Sequence, residues 1–156
     1  MTIRTATLSD YNDYYRLFYE VQEVHCHLYP ETFRKPSRSS MSRKVFGKYL
    51  SDRKNHILMA YDKAVPVGYI YVTVKPEKAS PLHTRPRVVY INQICVTRKY
   101  RRKNIAKMLI DRIADLARKK KIGLIQLDVW TLNESARIFF RRLGFKEFNV
   151  KMDLKI

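Results

Sequence analysis

The sequence predicts a mixed α/β (α+β) fold, and three stretches carry that prediction. Val88–Val96 is β-branched and apolar on both alternating faces, broken only by Asn92 and Gln93, which is how a central strand covered on both sides reads. Arg98, Lys99, Arg101, Arg102 and Lys103 follow with no acid among them, and then Ile105, Met108, Leu109, Ile113 and Leu116 recur at helical spacing. Strand, basic loop and helix therefore come in succession. A second passage of the same kind runs from an apolar strand over residues 124–130 into a helix with Ala136, Phe139, Phe140 and Leu143 on one face.

Taken in order, residues 3–8 alternate as a short strand, and Ser9 or Asp10 is a good N-cap for a helix beginning there. Tyr14, Leu17, Phe18, Val21, Val24 and Leu28 then mark an amphipathic helix that must end before Pro30. A polar connection leads to a second, shorter helix carrying Val45, Phe46, Tyr49 and Leu50. Residues 56–61 and 67–74 read as a hairpin turning at Asp62, Lys63 and Ala64, and the proline-bearing segment 75–87 reads as a surface loop. Arg118–Lys121 suits the negative end of the helix dipole, with Gly123 closing the turn. Asn133 caps the final helix and Gly144 ends it, after which Phe148, Val150, Met152 and Leu154 alternate as a last strand.

The 156 residues fit one domain spanning 1–156, long enough to bury a core. No apolar run is long enough to cross a membrane and the N-terminus has no apolar leader, so the expected location is cytoplasmic. Cys26 and Cys95 form no C-x-x-C pair, and His25, His27, His56 and His83 lack zinc spacing, so no metal is expected. The net charge of +18, from 32 basic against 14 acidic side chains, draws polyanions of any kind, whether a phosphate-rich cofactor, nucleic acid, a ribosome or an acidic substrate. Solvated basic faces account for it equally well.

A basic loop that opens a helix suits phosphate, because the first N–H groups of a helix are unbonded and carry partial positive charge. The P-loop and Rossmann patterns are both absent. The loop instead resembles the acyl-CoA segment of the GCN5-related N-acetyltransferase (GNAT) family, Arg/Gln-x-x-Gly-x-Gly/Ala, as Arg101-Arg102-Lys103-Asn104-Ile105-Ala106. Asn104 stands in place of the central Gly, a mild change since Asn tolerates a left-handed backbone and caps helices. Residues 127–145 resemble the family's other stretch, Leu-Glu/Asp-Val followed by Asn-x-x-Ala-x-x-x-Tyr-x-x-x-Gly-Phe, with Asn133, Ala136, Gly144 and Phe145 in place. Phe140 replaces the Tyr.

The resemblance implies a mostly antiparallel sheet with helices on both faces and a splayed central pair of parallel strands. Acetyl-CoA, as cosubstrate, would enter between them. It further implies that Ile94, Cys95 and Val96 meet pantetheine through their backbone, and that Arg101, Arg102, Lys103, Asn104, Ile105, Ala106 and Lys107 cradle pyrophosphate. Asn133, Ala136 and Phe140 would line the far side. A backbone N–H near 94–96 would serve as oxyanion donor. Asp128 falls where related enzymes carry a base, while Phe140 occupies the acid position with no proton to give. Glu20, Glu23 and His25 border the acceptor side and receive no catalytic role.

The activity so implied is N-acetyl transfer to a primary amine of a small molecule or protein by direct attack in a ternary complex. A catalytically weak CoA-binding or polyanion-binding module that kept the fold is the alternative. Expected partners are the amine-bearing acceptor and no membrane, with nucleic acid, a ribosome and homodimer formation left open.

Overall fold

The computed structural model describes residues 1–154 and 156. Strands β1 (Thr2–Thr5), β2 (Asn55–Asp62), β3 (Val65–Lys75), β6 (Val88–Val96) and β7 (Ile125–Leu127) form one sheet in the order β1-β2-β3-β6-β7. The short β4 (Lys78–Ser80) and β5 (His83–Arg85) pair with each other. All contacts in the main sheet are antiparallel except β6 with β7. Helices α1 (Tyr11–Leu28) and α2 (Arg43–Ser51) cover one face, and α3 (Ile105–Lys119) and α4 (Glu134–Arg142) the other.

Strand alternation divides the core between those faces. Ala60, Ile70, Val72, Val89 and Ile91 pack against Ile105, Leu109 and Ile113 of α3. Ile57, Met59, Tyr61 and Tyr69 face Tyr14, Leu17 and Phe18 of α1 and Phe46 of α2. Tyr14 sits at the middle of that second layer, its ring centroid 4.5 Å from Phe46 and 4.8 Å from Tyr69.

One extra residue in β6 changes its parity. Tyr71 pairs with Gln93 but Val72 with Ile91, which leaves Asn92 as a bulge. Val89 and Ile91 face α3 before the bulge, and Ile94 and Val96 keep to that side after it. Without the bulge Gln93 would point into the apolar layer; with it, Gln93 Oε1 accepts from the Tyr69 hydroxyl at 2.7 Å. Asn92 Nδ2 donates to Thr73 Oγ1 at 2.7 Å, which pins the bulge to β3. At the far end of the pairing, a Cβ on Gly68 would lie 2.6 Å from the Cys95 carbonyl oxygen, so only glycine lets β3 approach β6 there.

The amphipathic helices, the β2–β3 hairpin and β6 lie where the sequence predicts them. Several elements differ. β1 ends at Thr5, and residues 8–10 form a 3₁₀ turn before α1. Segment 75–87 is not a plain loop, since β4 and β5 form a hairpin within it. The left-handed residue closing α3 is Lys121 (φ 55°), not Gly123, because Ile122 N–H already reaches back to Ala117 O. β7 covers only three of the seven residues expected, having a ladder with β6 only as far as Leu127. The expected last strand does not form: Phe148, Val150, Met152 and Leu154 are all exposed, and among the described residues no strand takes their backbone groups. Among the described residues no helix is long and apolar enough to cross a membrane.

Asp10 staples β1 to α1 and β2. Its buried carboxylate accepts from Arg4 Nη1 and Nη2 (2.8 and 2.6 Å), the Thr7 N–H (2.7 Å) and the Tyr61 hydroxyl (2.8 Å). The Arg4 guanidinium, opposed by burial and helped by the Thr7 N–H, holds the Asp10 carboxyl well below the usual carboxylate range. A folded-state pKa below the unfolded value stabilises the fold above pH ~3.9, and the contribution is lost as pH falls through the folded value. Asp10→Asn should therefore cost about 1–3 kcal/mol at neutral pH in urea unfolding. The gap to the parent should narrow below pH ~4, where the unfolded chain's Asp10 takes up a proton that the folded carboxylate still resists.

Candidate active site

β6 and β7 part company at the bulge. Their ladder pairs Val89 with Ile125, Tyr90 with Gln126 and Ile91 with Leu127, and stops there. Val89 N–H donates to Leu124 O at 3.0 Å, while Thr97 N–H turns the other way to Val67 O at 2.9 Å. Backbone groups alternate sides along a strand, so beyond the bulge those of Ile94 and Val96 face the opened side. The Val96 carbonyl there accepts from Arg101 Nε at 3.1 Å, so Arg101 of the basic loop folds back onto the open edge. Cys95 points to the opposite layer and is buried; burial, with Glu20 nearby, pushes its thiol up to about 12, against the pull of Arg101.

The loop from Arg101 to α3 is built on two left-handed residues, Arg102 (φ 62°) and Asn104 (φ 59°). Asn104 thus adopts the conformation for which glycine is the usual choice, and its carbonyl accepts the first helical bond from Met108 N–H at 2.9 Å. Its side chain does not cap the helix, contrary to the expected N-cap role. The N–H groups of Ile105, Ala106 and Lys107 are therefore left without a side-chain cap at the helix's positive end. Arg101, Arg102 and Lys103 are exposed beside them, and Lys103 Nζ lies 4.7 Å from the Tyr100 ring centre.

On the β7 side, the Asn133 side chain accepts from Ala136 N–H at 3.3 Å and caps α4 as expected. Phe140 lies inside the α3 layer, its ring centroid 5.2 Å from Phe139 and 5.4 Å from Phe145. Asp128, one residue past β7, accepts from the Tyr90 hydroxyl at 2.6 Å, and Lys75 Nζ sits 3.0 Å from the Tyr90 ring centre. Burial and then Asp128 raise the Tyr90 pKa, which keeps that hydroxyl a donor. Burial lowers Lys75, offset in part by Asp128.

The α1 side contributes a wall. Tyr29, just after α1, accepts from Leu132 N–H at 2.7 Å and shares a 2.9 Å hydrogen bond with Thr131 Oγ1. Trp130 packs on Tyr29 and Phe33, each at 4.9 Å, and Phe33 stacks on His25 at 4.9 Å. His25 Nδ1 shares a 3.0 Å hydrogen bond with Gln22 Oε1, and burial lowers the pKa of the ring. Glu20 Oε1 accepts from Thr97 Oγ1 at 3.0 Å, which ties α1 to the end of β6. Among the described residues no cluster of His, Cys, Asp or Glu could hold a metal ion.

Sequence reasoning placed Ile94, Val96, Asn104, Asp128 and Asn133 around one opening. It passed over Tyr90, Lys75, Tyr29 and Trp130. The alternation of β6 and the run into residue 128 hold the Tyr90 signal, but only with the parallel register known.

β6 thus diverges from its parallel neighbour β7 at a bulge and is followed by a basic loop into α3. The sequence profile of the acetyltransferase (GNAT) family matches residues 18–145, and the chain belongs to that family. Among solved structures, a tetramutant of the BH1408 protein from Bacillus halodurans superposes with a TM-score of 0.93 at 25% identity, covering 100% of both chains. The apo aminoglycoside 6'-N-acetyltransferase AAC(6')-IG from Acinetobacter haemolyticus gives 0.77 at 20% identity over 100% of this chain and 99% of that one. AAC(6')-Iy in complex with a CoA-containing bisubstrate analogue gives 0.72 at 16% over 99% and 97%.

Asn104 allows a direct check of the loop. Asn104→Gly should leave thermal stability within a few tenths of a kcal/mol, whereas Asn104→Val, β-branched at φ near +60°, should cost about 1–2 kcal/mol.

Proposed function

We propose that this chain is an acetyl-CoA-dependent N-acyltransferase that moves an acetyl group to a primary amine of a small molecule or protein by direct attack in a ternary complex. The observation that carries the reading is the open edge of β6 at Ile94 and Val96, continuous with the uncapped amides of Ile105, Ala106 and Lys107. An extended amide-bearing arm would add to that edge as a strand does, and its phosphates would meet the helix start with Arg101, Arg102 and Lys103 around them. Ala136 and Asn133 bound the arm on the β7 side; Asn133 Oδ1 is committed to Ala136, which leaves Nδ2 to donate.

Acetyl-CoA supplies the activated thioester, and the chain's residues supply placement and proton handling. The acceptor nitrogen forms the new bond to the acetyl carbon as the carbon–sulfur bond breaks, with an N–H of residues 94–96 steadying the carbonyl oxygen. Amines with a lysine-like pKa of ~10.4 are protonated near neutrality, so a base must act first. Asp128 takes that proton on the oxygen not engaged by Tyr90, since Oδ2 already accepts the Tyr90 hydroxyl. Cys95, buried with its thiol pKa raised, is unsuited to an acyl-enzyme route, which favours direct attack. The leaving thiolate, of pKa ~8.5, takes its proton from water or from the attacking ammonium, because Phe140 has none.

Phe140 favours a second reading, a CoA-binding module of weak catalytic power. Titration with acetyl-CoA followed by an assay of CoA release over small amines, aminoglycosides and peptides separates the two. Release with any amine sustains the enzyme; tight binding with no release from any of them sustains the module.

Arg102→Glu and Lys103→Glu should each weaken acetyl-CoA binding and flatten its dependence on salt, read by calorimetry at two ionic strengths. Unchanged affinity in both would place the phosphates elsewhere. Phe140→Tyr should cost about 1–3 kcal/mol of stability, since its hydroxyl enters an apolar layer. Its turnover should equal or exceed the parent's, and a large loss in the folded variant would remove position 140 from the neighbourhood of the thiol.

A further inference from the structure

Residues 17–33 and 122–136 are the two longest runs without Lys or Arg in a chain that carries 32 of them. These two runs also meet in space. Tyr29 holds Thr131 and Leu132 through its hydroxyl, and Trp130 packs at 4.9 Å on both Tyr29 and Phe33. Between them the runs carry Glu20, Glu23, Glu31, Asp128 and Glu134. A protein of net charge +18 thus keeps its own cations off one wall of the opening, the wall beside Asp128.

Trp130 is the open ring of that wall. It keeps 41% of its surface in solvent although two rings pack on it, Phe33 edge-on at 78° and Tyr29 tilted at 54°. The hydroxyl bonds of Tyr29 hold that support, and with it the indole, in place. Val89, Ile91 and Leu127 face α3, so Tyr90 and the Asp128 it meets lie on the α1 side, where Trp130 also packs. Two residues of extended chain span at most ~7 Å, roughly the reach between the nitrogens of an unbranched diamine with four or five carbons. Lys75 also neighbours Asp128, but from the other direction: its strand partner is Val88, whereas Trp130 lies beyond the Ile91–Leu127 pair. A second positive charge on an acceptor is repelled at the Lys75 end and attracted by an aromatic face at the Trp130 end.

We propose that the acceptor is an aliphatic diamine, or a polyamine with the same nitrogen spacing, whose reacting nitrogen lies at Asp128 while its second ammonium lies on the open face of Trp130. The inference rests on the acyl-transfer reading for its chemistry and on Trp130 for its specificity. In the step, the carbon–nitrogen bond forms as the carbon–sulfur bond of acetyl-CoA breaks. One ammonium proton leaves through Asp128 to water and a second ends on sulfur, giving the N-acetyl amine, CoA thiol and one released proton. Acetylation removes one of the two charges, so the product no longer places an amine at Asp128 and an ammonium on Trp130 together, and the reaction stops at the monoacetyl product.

Trp130 is the one tryptophan of the chain, so its emission reports this site directly. With CoA present, titration with a series of unbranched diamines should give a saturable change in emission, tightest for 1,4-diaminobutane and 1,5-diaminopentane and about 2- to 30-fold tighter than for butylamine. CoA release from acetyl-CoA should rank the same amines in the same order by KM. Trp130→Leu should lose the preference, both in calorimetry and in KM, and Trp130→Phe should restore part of it, which a purely structural role would not do. Equal affinity for butylamine and 1,4-diaminobutane, no saturable change with any diamine, or a preference that survives Trp130→Leu overturns the proposal. Preferential diamine binding with no CoA release from any amine leaves the diamine site standing and removes the acyl-transfer reading; release with butylamine and diamines at equal KM does the reverse. The chain-length series on the unaltered protein decides the matter even if Trp130→Leu does not fold.

Discussion

A single inserted residue, Asn92, sets the terms for everything around the opening. Buried backbone groups must be paired, and a strand in the middle of a sheet ordinarily finds partners on both sides. By shifting parity between Ile91 and Gln93, the bulge lets β6 keep its apolar side chains on the α3 layer while it bends away from β7. Ile94 and Val96 then offer main-chain donors and acceptors to an edge with no strand on it. The Asn92 bond to Thr73 and the close approach at Gly68 hold β6 rigidly to β3, so the gap opens only on the β7 side.

Much of this was legible in residue order. The uninterrupted apolar run of β6 and the clean heptad-like spacing of α3 are strong signals because burial on both faces of a strand, or one face of a helix, leaves little freedom in sequence. Asn92 and Gln93 were visible as a break in that run, but a polar pair in a strand does not by itself distinguish a bulge from a solvent-facing turn of the chain. The tail misled for the opposite reason. Its alternation is perfect, yet alternation records only that a segment can pair, and pairing needs an edge in reach. β7 fell short of prediction by the same logic, since strand extent depends on neighbours that lie far away in sequence.

The site divides in a similar way. Asn104 was readable because the left-handed backbone accepts few residue types, so a substitution there says what conformation it serves. Asn133 was readable because its capping role is local. The Tyr90–Asp128 bond and the Tyr29–Trp130 packing were not, as both join residues separated by tens of positions whose meeting depends on register and helix placement. The ring of Phe140 packs beside Phe139 and Phe145, contacts that a motif match alone does not give.

The Tyr29 hydroxyl reaches Thr131 and Leu132, and Asn133 N–H in turn donates to Trp130 O at 2.9 Å. The segment after α1 and the cap of α4 are thereby parts of one mechanical unit. Any drift of sequence in the 29–33 connection that reshapes this wall is transmitted through three hydrogen bonds and two ring contacts to the residue that caps α4. The wall formed by residues 29–33 and the seat of Asn133 cannot diversify independently in this chain, and a change to one calls for compensation in the other.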